Sequence, residues 1–140
     1  MCGINGIFGE RNIGIANDKI TAMNLCMEHR GPDDNGVFVE ENIALGHQRL
    51  SILDLSSAGK QPMPSSSGRF ILSFNGEIYN FKDIKKELQD YDFKTQTDSE
   101  MILAAYEKWG FSCLEKFNGM FAIAIWDKVK EELFLARDRM

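Results

Sequence analysis

Apolar residues recur at helical spacing in three segments of the chain. Stripes of this kind, with a period near 3.6 residues, predict amphipathic helices whose apolar side faces a core. One helix is predicted over 18–28, a second over 81–89 with Asn80 at its N-cap, and a third after TDSE at 97–100, a capping box led by Thr97. The stripes are Ile20, Met23 and Met27 in the first helix, Phe81, Ile84 and Leu88 in the second, and Ile102, Ala105, Tyr106 and Trp109 in the third.

Other segments have the pattern of β-strands. Strands are predicted at 3–8, 36–40, 43–50, 69–74, 120–126 and 132–137. MFAIAIW at 120–126 is apolar on both faces, which is typical of a strand whose sheet is covered on both sides. ELFLAR follows after a charged turn and predicts a hairpin, whereas SSAGKQPMPSSSG at 56–68 predicts a loop within the domain. The pattern as a whole predicts an α+β domain built from antiparallel strands and two or three helices.

Composition and charge exclude several classes of protein. The 140 residues suit one domain, and an apolar content of 44 % with 10 Phe is enough to fill its core. The net charge is −5 and the basic residues are scattered, which argues against a nucleic-acid partner. No secretory signal or membrane span is evident, so we expect a cytoplasmic protein. Cys2, Cys26 and Cys113 form no CxxC or CxxH pair, and neither a disulfide framework nor a metal site is expected.

Cys2 stands directly after the initiator methionine. A cysteine needs a base, because at its ordinary pKa of about 8.5 only a small fraction of the thiol is ionised at neutral pH. Neither His29 nor His47 is brought to Cys2 by the sequence. If Met1 is removed, the α-amino group of Cys2 can itself serve as the base. Considered alone, Cys2 could equally be a small buried apolar residue, and that interpretation is preferred for the other two cysteines.

Several motifs favour a catalytic role for Cys2 over a structural one. MCGINGIFG, HRGPDDNG, GHQRLSILDL, QPM, FNGEIYNF, TDSEMILAAYEKWG, FNGMFAIAIWD and LARDR occur in an order and spacing that resemble the class II glutamine amidotransferase domains, which are N-terminal nucleophile hydrolases. Within that class, RGPD and NGEIYN look most like the glutaminase domain of asparagine synthetases. The resemblance covers essentially the whole chain and implies a four-layer αββα sandwich of antiparallel sheets.

The resemblance also implies a catalytic set. Cys2 is the expected nucleophile, which attacks the glutamine carboxamide and forms a γ-glutamyl thioester that water then hydrolyses. Asn75 and Gly76 are the expected oxyanion hole, with a side-chain and a backbone N–H as donors. Without the resemblance, NG at this strand end would be interpreted as an ordinary turn dipeptide.

Three further residues are expected to bind the substrate. By resemblance, Arg49 pairs with the α-carboxylate of glutamine, as a guanidinium does in bidentate fashion. Asp98, and less firmly Glu77, are the expected partners of the α-ammonium. Without the motif, Arg49 would be interpreted as a surface arginine at a strand end, and Asp98 as an acid favoured by a helix N-terminus.

The chain ends soon after LARDR, where further strands are expected, so we interpret residues 1–140 as a C-terminally truncated glutaminase domain. The expected partner in the longer protein is a synthetase domain, which receives the ammonia and transfers it to aspartate. ATP and magnesium are expected only there, and no cofactor is expected in this chain. Three alternatives stay open: another ammonia acceptor such as a sugar acid, a catalytically silent interaction module, and self-association through an uncovered sheet edge.

Overall fold

The computed structural model of the chain describes residues 1–51 and 57–139. A first antiparallel sheet contains β1 (Gly3–Phe8), β2 (Asp34–Glu40) and β3 (Ile43–Arg49) in the order β1-β3-β2. Strand β3 is central and all seven of its residues are buried. Its C-terminal end therefore carries Arg49 into the interior of the molecule.

A second antiparallel sheet contains β4 (Met63–Pro64), β5 (Phe70–Ile78), β6 (Gly119–Asp127) and β7 (Glu132–Arg137), in that order. The predicted hairpin of the last two strands is present, with Ala124 opposite Leu135. Strand β5 pairs with β6 along its whole length, whereas β4 covers only two residues of the other edge of β5. Most of that edge is thus available to other parts of the chain.

The two sheets pack face to face between two helical layers. Residues of both sheets share one apolar cluster, which contains Ile43 and Leu45 together with Ile71, Ala124 and Trp126. Helix α1 (Ile13–Cys26) covers the outer face of the first sheet, while α2 (Phe81–Glu87) and α3 (Asp98–Trp109) cover that of the second. The predicted four-layer αββα arrangement is therefore confirmed, and the apolar pattern of β6 follows from its position in a doubly covered sheet.

Helix α1 differs from the predicted first helix. It begins five residues earlier, because the Asn12 side chain accepts a hydrogen bond from the Ile15 N–H and caps it there. Its buried residues are Ala16, Ile20 and Asn24, whereas Met23 is 38 % exposed. The predicted stripe was wrong at Met23 because the true stripe uses a small and a polar residue, which hydrophobic periodicity does not detect.

The N-cap assignments of the other helices had mixed outcomes. Thr97 caps α3, where its hydroxyl accepts from the Glu100 N–H at 3.3 Å. The Glu100 carboxylate binds the N–H groups of Lys94 and Thr95 instead of that of Thr97, so the capping box is not reciprocal. Asn80 is the N-cap residue of α2 as predicted, but its side chain makes no capping hydrogen bond. Its amide bonds instead to the chain before β6, at the Lys116 carbonyl and the Asn118 N–H.

Two segments between predicted elements also changed. The strand predicted to end at residue 74 continues to Ile78, so Asn75 and Gly76 lie inside β5 and not in a turn. The predicted loop contains a 3-10 turn at Ser57–Gly59 and the short strand β4, while its residue 56 lies outside the described residues. Within the described part of the chain, no helix is long and apolar enough to cross a membrane.

Candidate active site

A pocket opens where the C-terminal end of β3, the uncovered edge of β5 and the N-terminus of α3 meet. It encloses about 730 Å³, which includes its open mouth. All the residues that the sequence nominated line this one pocket: Cys2, Arg49, Asn75, Gly76, Glu77 and Asp98. They come from the residue before β1, from β3, from β5 and from α3, so only the packing of the two sheets brings them together.

Cys2 lies next to the end of β3. The Leu50 N–H donates to its sulfur at 3.3 Å, and the thiol lies 3.7 Å from the Leu50 carbonyl, which accepts from it. The Arg30 Nε donates to the Cys2 carbonyl at 3.0 Å and holds the backbone of the same residue. The nucleophile is therefore fixed on both its side chain and its main chain. Arg30 of the motif RGPD thus supplies one of these contacts.

Arg49 is 7 % exposed and lies at the end of β3. Its carbonyl accepts from the Asp33 N–H at 3.0 Å, which ties the strand end to RGPD. Its guanidinium reaches Gly59, where an added Cβ would stand 2.3 Å from Nη2. The absence of a side chain at position 59 is thus what leaves room for the guanidinium in the pocket.

The edge of β5 presents the candidate oxyanion donors. The N–H groups of Phe74 and Ile78 point away from β6, since they bond to Gln61 and Asp98 respectively. Alternation along the strand places the Gly76 N–H on the same edge, between them. Gly76 must be glycine: its φ is +150°, and a Cβ would meet the Met120 carbonyl oxygen at 2.1 Å.

The side chain of Asn75 also lies in this pocket. Its Oδ1 is buried and has no hydrogen-bond partner among residues 1–51 and 57–139. A buried amide normally satisfies its polar atoms, so an unpartnered one in a pocket indicates a position reserved for a ligand or for water. The unpartnered Oδ1 is an acceptor, so it would meet a donor or a water, whereas an oxyanion would need the N–H groups of Nδ2 on the same carboxamide.

The acidic end of the pocket is formed by Asp98 and Glu77. Asp98 is 5 % exposed, and its Oδ2 accepts from the Ile78 N–H at 3.0 Å. Burial raises the pKa of Asp98, and the nearby Glu77 carboxylate raises it further, while the Ile78 N–H and the backbone N–H groups at the start of α3 oppose the shift. A bound cation would offset the cost of ionising this buried carboxyl. Such a site suits an ammonium group.

Neither histidine lines the pocket that contains Cys2. His47 is fully buried, and its Nε2 bonds to the Phe74 carbonyl at 3.0 Å. Burial lowers the pKa of His47 to about 4, an effect that Arg49 reinforces and Asp34 opposes. The imidazole is therefore neutral at physiological pH. In the described residues, no three His, Cys, Asp or Glu side chains are grouped so that they could hold a metal ion.

Sequence reasoning missed several residues that the structure places at or behind the site. Gln61 belongs to the motif QPM and was given no role, yet its side chain bonds to β5 and to Ser99 on α3. Gly59 lay in a segment interpreted only as loop. The sequence carries only a weak signal for these two positions. A glutamine beside a proline has the pattern of an ordinary loop residue, and only the structure shows which strand edge it faces.

Comparison with known proteins agrees with this geometry. Residues 1–140 match the family described as the glutamine amidotransferase domain. The chain belongs to this family. This match confirms the resemblance that the motifs indicated.

Curated relatives of this amidotransferase domain are considerably longer proteins. A putative glutamine-hydrolysing asparagine synthetase 2 of Methanocaldococcus jannaschii is 42 % identical over 160 residues, which span 100 % of this chain and 30 % of that protein. Asparagine synthetase 2 of Bacillus subtilis is 39 % identical over 99 % of the chain and 19 % of its own length. Asparagine synthetase B of Escherichia coli is 38 % identical over 100 % of the chain and 26 % of its own length. The chain thus spans less than a third of each of these relatives.

A solved structure supports the fold of the domain. Glutamine phosphoribosylpyrophosphate amidotransferase from B. subtilis, solved with ADP and GMP, superimposes with a TM-score of 0.75 over 99 % of this chain and 37 % of that one. The sequence identity is 21 %, so this similarity concerns the architecture alone.

Proposed function

We propose that this domain hydrolyses glutamine to glutamate and ammonia through a thioester on Cys2. The observation that carries the proposal is the convergence of a thiol, a guanidinium, two carboxylates and a carboxamide in one pocket. Glutamine presents the matching groups: an α-carboxylate, an α-ammonium and an electrophilic amide. Arg49 would bind the first, Asp98 with Glu77 the second, and the edge of β5 the oxygen of the third.

The chemistry begins with removal of Met1, which converts the Cys2 amide into a free α-amine. That amine accepts the thiol proton, and the thiolate attacks the carboxamide carbon. Asn75 and Gly76 donate hydrogen bonds to the oxyanion that forms. The α-ammonium of Cys2 then returns its proton to the departing nitrogen and the C–N bond breaks. Ammonia departs, and a γ-glutamyl thioester remains on Cys2. Water, deprotonated by the same amine, then releases glutamate and regenerates the thiol.

We further propose that the ammonia serves asparagine synthesis from aspartate in the complete protein. The supporting observation is that the named relatives are glutamine-hydrolysing asparagine synthetases. In this proposal residues 1–140 form the glutaminase domain, and a synthetase domain that uses ATP and magnesium lies elsewhere in the longer protein. The cytoplasmic location stays a prediction. A silent module is the weaker proposal, because every expected position holds a chemically competent residue.

The first test is ammonia release from glutamine by the purified protein and by Cys2→Ala. The variant should lose at least ~10³-fold in kcat, since the nucleophile is removed while the pocket is kept. Cys26→Ala is the matched control, because Cys26 is an exposed thiol at the end of α1. Equal turnover by Cys2→Ala and wild type would contradict the thioester.

The second test concerns the acceptor. The full-length protein would be incubated with ATP, aspartate and glutamine labelled with ¹⁵N in the amide. The label should appear in the amide of asparagine. If it appeared only as free ammonia, or in a different product, the asparagine assignment would be wrong while the glutaminase assignment would stand.

A further inference from the structure

Strand β5 lacks a neighbouring strand at the point where the pocket begins. Strand β4 pairs with Ile71 and Leu72 and then ends. The next N–H and C=O on this edge belong to Phe74, the residue directly before Asn75. Two side chains take the place of the missing strand. The Phe74 N–H donates to Gln61 Oε1 at 2.6 Å, and the Phe74 carbonyl accepts from His47 Nε2 at 3.0 Å.

The burial and the hydrogen bonding of His47 are those of a residue that serves the contact with the Phe74 carbonyl. It lies in β3 of the first sheet and reaches across to the second, with no exposed surface. A neutral imidazole carries one N–H, and donation to a carbonyl places it on Nε2. Nδ1 then has no partner among the described residues, so the contact with Phe74 is the only hydrogen bond that the ring makes there. Burying an imidazole with one atom unsatisfied costs stability and suggests a function for the bond that remains.

Gln61 connects the same point of β5 to the substrate-binding helix. It is 6 % exposed, and its Nε2 donates to Ser99 Oγ at 3.2 Å. Ser99 follows Asp98, the expected ammonium ligand. A single side chain therefore links the residue before the oxyanion donors to the residue after the acid.

We propose that His47 and Gln61 are positioning residues that fix the backbone of Phe74 and thereby aim Asn75 and Gly76 at the oxyanion. The inference rests on the proposed glutaminase function. Its physical basis is that an oxyanion donor is effective only at about 2.7–3.1 Å from the developing charge. At Phe74 strand β5 is paired with β6 on one side only, so these two side chains restrain its other edge. His47 does not line the pocket, whereas Gln61 does.

The decisive variants are a matched pair at one position. His47→Leu fills the space without a donor, whereas His47→Gln restores an N–H at the place of Nε2. We expect kcat for glutamine hydrolysis to fall ~10–100-fold in His47→Leu, with KM within ~3-fold, because the donors act on the transition state. His47→Gln should recover most of the loss. Gln61→Met, similar in size but without the acceptor, should reduce kcat by a similar factor.

Alkylation of Cys2 separates positioning from general damage. Iodoacetamide reacts with the thiolate by displacement at a saturated carbon, and no oxyanion forms. The alkylation rate of the Cys2 peptide, followed by mass spectrometry, should therefore stay within about twofold of wild type in all three variants. The thermal midpoint should be measured beside it.

Two results would overturn the inference. One is an unchanged kcat in His47→Leu and Gln61→Met. The other is a parallel loss of kcat, substrate affinity and Cys2 alkylation, which would give these residues a structural role only. If His47→Leu does not fold, Gln61→Met and His47→Gln decide the matter by the same criteria. Failure of the wild-type protein to release ammonia would instead contradict the proposed function, which is a distinguishable outcome.

Discussion

Replacing Gly59 by alanine tests how Arg49 is held in the pocket. The backbone at position 59 has no left-handed φ, so it accepts an alanine without strain. The new methyl group would stand 2.3 Å from Arg49 Nη2 and 2.9 Å from Cζ, while its next neighbour, a Thr97 methyl carbon, is at an ordinary 3.4 Å. The clash thus falls on the far end of one flexible side chain and spares the core.

The size of the effect follows from these distances. Non-bonded carbon and nitrogen atoms need roughly 3.5 Å, so the guanidinium must move by about 1 Å. A bidentate carboxylate contact tolerates much less, and a misplacement of about 1 Å costs up to ~10²-fold, or about 2.7 kcal/mol. Since Arg49 is expected to bind a part of glutamine that does not react, this loss should appear mainly as a 10–100-fold rise in KM.

The assay is steady-state ammonia release over a range of glutamine concentrations, with a thermal melt of each variant. The matched control is Gly14→Ala in the exposed first turn of α1, which should leave kinetics unchanged and raise stability by about 0.5 kcal/mol, because alanine loses less backbone entropy than glycine on folding. An unchanged KM in Gly59→Ala would refute the reasoning about the guanidinium. A large fall in the thermal midpoint would show that Gly59 serves the fold instead.

Three further predictions concern the nucleophile, the acid and the buried imidazole. Mass spectrometry of active protein should show Met1 removed, and a fraction that retains Met1 should release no ammonia; activity in that fraction would exclude the α-amine of Cys2 as base. Asp98→Asn should raise the KM for glutamine by ~10–100-fold, because a buried ammonium would lose its charged partner, and an unchanged KM would place the ammonium elsewhere. Below pH 6.5, His47 takes up a proton on unfolding, since its folded pKa of about 4 lies below the ordinary value of 6.5. Its contribution to the free energy of unfolding is therefore complete above pH 6.5 and falls by about 3 kcal/mol as the pH drops to about 4. Denaturant melts of His47→Gln should show a flatter profile in that window, and identical slopes would contradict this origin.

The sequence supported the layered fold for a clear reason. Phe70, Leu72 and Phe74 alternate with residues of the opposite face, as do Phe121, Ile123 and Ile125, and both sets lie in the core beneath α3. Periodicity of this kind reports burial directly. It was less informative for α1, where the buried face includes Ala16 and Asn24, and for Asn80, whose side chain serves a distant segment.

The residues of the candidate site also differ in how well the sequence predicts them. Motifs in the sequence nominated Cys2, Arg49 and Asp98, because their residue types carry recognisable chemistry. Residues without reactive groups escaped notice. Gly59 leaves space for the Arg49 guanidinium, and the side chains of Gln61 and His47 bind the main chain of Phe74.

The sequence by itself determined which elements form and which residue types are available for chemistry, since both depend on local pattern and on side-chain identity. Only the tertiary structure decided that the pairing of β4 stops two residues short of Phe74, so that side chains from the other sheet and from the segment just before β4 complete the edge of β5. The physical reason is that hydrogen-bonding groups of a strand edge must be satisfied when buried, and the partner can come from anywhere in the chain. Such contacts leave no periodic trace in the sequence.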